Sequence, residues 1–77
     1  MNYEEALAHY PAVVAAGDVA AFVAPIERAC RKEPDEVEGL LWAAWGVVVK
    51  RAGEGDRPGR EGLELMKRYD RDIAAAS

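Results

Sequence analysis

Ten consecutive residues near the middle of the chain, Leu40 to Val49, carry no charged, amide or hydroxyl side chain. A helix through this run is apolar almost all round, and such a helix has to be covered on most sides. The whole chain has 77 residues, enough for one domain and one small core. Val37, Leu40, Leu41, Ala44, Trp45 and Val48 form the predicted inward stripe of this helix. Trp42 falls beside Gly46 and Val49 on another side. Three further short helices cannot enclose both sides, so the sequence predicts a self-association or partner surface centred on Trp42 and Val49, with Trp45 next to it.

A core this small is marginal, and short domains usually add disulfides, a metal or a partner chain. Cys30 is the one cysteine, so no internal disulfide forms and a reducing compartment is expected. His9 and Cys30 are the only soft ligands, without zinc-type spacing. Residues Met1 to Glu5 lack the basic start and apolar core of a secretion signal, and no stretch has the apolar length of a bilayer span. The expected location is cytoplasmic, with no membrane partner. A net charge of −4 opposes direct binding to nucleic acid.

The fold class read from the sequence is all-α: four short helices as two antiparallel hairpins in a small bundle or repeat-like array. Hairpin one spans about residues 1–34 and hairpin two about 35–77. Asn2 can cap the first helix, with Glu5 three residues on closing a capping box, and Gly17 can end it. Asp18 is the expected cap of the second helix, where Val19, Phe22, Val23, Ile26, Ala29 and Cys30 make one stripe. Pro34 and the acids around it start the third helix, because carboxylates are stabilised at the positive end of a helix dipole. Gly53, Gly55 and Gly59 predict a flexible loop over residues 53–59. The fourth helix is expected from about Arg60 to Ala75, with Leu63, Met66, Tyr69 and Ile73 inward. Pro11 and Pro25 interrupt periodic segments and predict kinks or breaks near Tyr10 and Ala24.

The stretch from Gly17 to Pro34 resembles the second half of a tetratricopeptide repeat. Gly17, Asp18, Ala29 and Pro34 stand in the register of its Gly-Asp turn, small residue and closing proline. Trp42, Gly46 and Gly53 match the aromatic, small contact residue and turn glycine of the repeat's first helix, with a two-residue slip. Residues Arg60 to Arg68 then read as another second helix. The resemblance implies stacked helical hairpins over most of the chain. Phe22 stands where the repeat has alanine, Pro25 interrupts a regular helix, and His9-Tyr10 replace a small residue.

No pattern here predicts catalysis, a cofactor or a metal site. Cys30 lies on an apolar stripe, where a cysteine acts as a small hydrophobe. His9 has only Glu5 within a turn. Glu33, Asp35, Glu36 and Glu38 gather four carboxylates without the alternating ligands and glycine of a calcium loop; they predict an acidic docking patch for a basic partner. Arg57, Arg60, Lys67, Arg68 and Arg71 are interleaved with Glu61, Glu64, Asp70 and Asp72, which makes a neutral solvated face. The expected function is therefore non-catalytic protein–protein interaction, as an adaptor or inhibitor, binding another protein or a second copy. Two alternatives are a phage-type acidic inhibitor of a host nucleic-acid complex such as a CRISPR effector, and an enzyme accessory subunit using His9, Tyr10 and Cys30.

Overall fold

The computed structural model describes residues 1–32 and 36–76. Among the described residues there are four helices and no strand: α1 Tyr3–Ala16, α2 Ala20–Lys32, α3 Glu36–Glu54 and α4 Asp56–Ala76. The local signals act as their chemistry requires. Asn2 is extended and its side chain accepts from the Glu5 amide at 2.8 Å, which satisfies one of the unpaired donors at a helix start. Gly17 takes φ +72°, a left-handed cap that glycine adopts without steric cost. Asp18 then accepts from the Ala20 amide at 3.0 Å.

The flexible loop expected over residues 53–59 does not form. Helix α3 runs through Gly53 to Glu54, α4 begins at Asp56, and only Gly55, with φ +147°, lies between. Packing explains the other two glycines. A Cβ on Gly53 would come within 2.8 Å of Val19, and one on Gly59 would collide with the Tyr10 hydroxyl and reach 3.0 Å from the Ala52 backbone. Both allow helices to approach closely. Pro58 falls in the first turn of α4, where its missing N–H breaks no helical bond.

The breaks expected at Pro11 and Pro25 are also absent, since α1 and α2 run on through them. Both prolines are exposed. On that side water can take up the carbonyls that lose their amide partners.

Helix α3 is the hub. It packs most extensively against α4 and then α2, while α1 lies across α3 and α4 and makes little backbone approach to α2. Gly62 against Val48 and Gly59 against Ala52 make α4 antiparallel to α3; Gly53 against Val19 and Gly46 against Ile26 do the same for α2. Ala6, Tyr10, Val13, Ile26, Trp45, Val48, Val49, Leu63 and Met66 form one buried cluster. Each large side chain there contributes roughly 1.5–3 kcal/mol by leaving water. Two residues expected inward are not: Val37 is 42% exposed and Leu40 47%.

Candidate binding site

Helix α1 is pulled towards α4 at two points. The Tyr10 hydroxyl lies 2.9 Å from Asp56 Oδ1 and 3.0 Å from the Asp56 carbonyl, and can donate to either. Arg60 Nε donates to the other Asp56 oxygen at 2.7 Å, and its guanidinium sits 5.9 Å from the Tyr10 ring centre. Near the start of α1, the Tyr3 amide donates to Asp70 at 2.9 Å and Lys67 lies over the Tyr3 ring. Burial raises the Tyr10 pKa above its usual value, and the neighbouring Asp56 carboxylate adds to the effect. The Arg60 and Tyr10 hydrogen bonds hold Asp56 below the ordinary carboxylate range.

Helix α2 is drawn the opposite way. Val19 seats on Gly53, and Ile26 lies 3.3 Å from where a Cβ of Gly46 would stand. With α1 leaning to one flank of α3 and α2 to the other, a groove of about 270 Å³ opens between them. His9, Ala12 and Val13 line its α1 wall, Phe22, Pro25 and Ile26 its α2 wall, and Trp42 and Trp45 its floor. Met1 borders one end, and its amino group lies 2.8 Å from the Glu38 carboxylate. The lining is almost wholly apolar, so the groove can bind an apolar group and offers little to orient a reacting one.

The residues expected to form the contact surface separate. Trp42 is half-buried and opens into the groove, and Trp45 is 4% exposed beneath it. Val49 is fully buried at 0%, which corrects its place in an exposed face. Trp42 and Trp45 lie on one side of α3 together with Val49, not on the two sides expected, and α1 crosses the Val49 end and leaves the Trp42 end open. Glu36 is exposed, Glu38 is occupied by Met1, and Glu33 and Asp35 lie outside the described residues.

His9, Tyr10 and Cys30 do not share a cleft. His9 lines the groove, Tyr10 points at Asp56, and Cys30 faces the α2–α3 surface with Sγ 4.0 Å from the Gly39 carbonyl. Among the described residues no group of His, Cys, Asp or Glu is placed to hold a metal, and no helix is long and apolar enough to cross a membrane. Arg57 pairs with Glu61 and Arg60 with Asp56, each one turn apart, so part of the basic segment is neutralised within α4.

Sequence reasoning missed Phe22 and Val13 as groove walls, because both look like ordinary core positions until α1 and α2 diverge. It also missed the outer row of α3, where Leu40 and Val47 are 47% and 51% exposed. The signal was present: Glu36, Leu40, Ala43, Val47 and Lys50 are spaced 4, 3, 4 and 3 apart, and a row with a charge at each end faces water.

No protein-family model, curated protein or solved structure matches this chain.

Proposed function

We propose that this chain is a non-catalytic binding protein that takes an apolar, basic-flanked segment of another protein into the groove between α1 and α2. The observation that carries the reading is the open apolar groove with Trp42 and Phe22 on its surface. Aromatic side chains in a recess that loses its water on contact are the usual anchors of protein interfaces. The basic flank follows from charge. The chain carries −4, and the groove ends at Met1 beside the Glu38 carboxylate, which is paired with the Met1 amino group yet still 43% exposed. Complementary charge at a rim speeds encounter and selects partners, and salt screens it.

The test is retention of proteins from a native lysate on immobilised wild type, Phe22→Asp and Val47→Asp, with circular dichroism checking that each variant is folded. A protein held by wild type and Val47→Asp, lost with Phe22→Asp and released between about 0.05 and 0.5 M salt is the expected result. Proteolysis of that partner on the column should leave an apolar segment flanked by Lys or Arg. Equal retention by folded Phe22→Asp, or a protected acidic segment, overturns the groove as the site. If wild type holds nothing, the binding role itself is wrong.

A further inference from the structure

On the side of α3 opposite the groove floor, Leu40, Ala43 and Val47 are exposed on one row that ends in Glu36 and Lys50. Val47 lines shallow hollows on both flanks, one against α2 and one against α4, so the row is a crest. Leu65 of α4, 52% exposed, borders the second hollow. We infer that this crest is the interface of a two-fold dimer of the chain, with two α3 helices antiparallel and crossing at Ala43.

Spacing and charge both select a second copy. Glu36 and Lys50 each stand seven residues from Ala43, two turns away in opposite directions. A two-fold axis at Ala43 therefore brings Glu36 of each copy to Lys50 of the other, giving two ion pairs. Neither residue has an ion-pair partner among the described residues of its own chain. Leu40, three residues before the axis, meets Val47, four after it, on the flank where Leu65 extends the contact. The other flank carries Gly39, one row out from Gly46, which is already seated against Ile26 of the same chain. Among the described residues a Cβ on Gly39 would meet nothing within 4 Å, so packing among them does not account for a glycine at this point of a helix. Close approach of a second α3 does.

The crest sits between hollows, and helices pack by setting the ridges of one into the grooves of another. From Glu36 to Lys50 it is about 21 Å long, a patch at the small end of specific interfaces, where contacts are weak and transient. Such a dimer should be weak enough to dissociate on dilution. It leaves the α1–α2 groove free, so the inference stands independently of the binding function.

Sedimentation velocity tests it. Wild type should be dimeric at about 100 µM and dissociate on dilution. Val47→Asp should be monomeric with unchanged thermal unfolding. Lys50→Glu should weaken association at least tenfold, and adding Glu36→Lys to it should restore the wild-type constant. Ala43→Cys in a Cys30→Ala background should oxidise to a disulfide-linked dimer, whereas Ala24→Cys on exposed α2 should not. A wild type that stays monomeric at about 1 mM overturns the dimer, as does one whose dimer persists in Val47→Asp. Failure of the charge exchange to restore association overturns the antiparallel register. Phe22→Asp should leave the dimer intact, so loss of groove binding and loss of dimerisation are separable.

Discussion

The groove floor and the outer crest belong to the same helix and the same apolar run, yet they differ in shape. At the groove, Trp42 and Trp45 lie in a recess walled by α1 and α2; at the crest, Leu40 and Val47 stand out beyond their neighbours. The difference comes from having three helices to place around a fourth. α4 and α2 flank α3, α1 crosses one of the two remaining sides, and nothing among the described residues crosses the other. A recess accepts a side chain of different shape, whereas a crest with opposite charges at its two ends is complementary to itself. One apolar run thus supplies two surfaces whose shapes suit different kinds of partner.

The largest effect that separates them lies inside the recess. Trp45→Ala removes a side chain that is 4% exposed and should cost about 3–5 kcal/mol, enough to unfold much of a protein this small. Trp42→Ala should cost clearly less, because the groove already exposes that ring. Equal losses in chemical denaturation would mean that the groove is closed in solution.

Next is the wall. Tyr10→Phe cuts the hydroxyl bonds that hold α1 at the start of α4, and should cost about 1 kcal/mol, or roughly 4–8 °C in melting temperature. It should loosen groove binding and leave dimerisation untouched. The same anchor sets a pH window. Asp56 has a folded pKa below its unfolded one, so its contribution is present above about pH 4 and lost as acid protonates it through the lower value. Tyr10 has a folded pKa above its unfolded one, so its contribution is full below about pH 10 and lost as the pH rises through the higher value. Melting curves of Tyr10→Phe should show a weaker fall at the alkaline edge than wild type does.

The smallest effects on stability belong to the crest. Gly39→Ala meets no clash and should stabilise α3 by about 0.5–1 kcal/mol while weakening association, an opposition that only an intermolecular role for Gly39 produces. Val47→Asp should change the unfolding midpoint by less than about 0.5 kcal/mol. A larger loss would place Val47 inside the fold.

The helix ends were legible because they depend on neighbours in sequence. Asn2, Gly17 and Asp18 each act within three residues of where they stand. The glycines after Ala52 were not, because composition suggests flexibility where the cause is contact with Val19 and Tyr10, 34 and 49 positions away in the chain. Pro11 and Pro25 were misread for a related reason: whether a proline breaks a helix depends on which side of it faces water. At the site, the excess of apolar surface on α3 was legible, as was Trp42. The assignment of Val49 and Leu40 was exchanged, since that turns on where α1 crosses, and α1 is placed by Tyr10 and Tyr3 through partners in α4.

Those partners impose an order of events. The Tyr10 hydroxyl bonds span 46 positions and the Tyr3 bond spans 67, whereas α3 and α4 meet across the single residue Gly55. During synthesis α1 emerges before both helices it lies across, and the bonds that fix it, to Asp56 and Asp70, form only after α4 has followed α3. The side of Trp45 that α1 covers stays open through that interval, so the helix that precedes the other three is the one that seals the core.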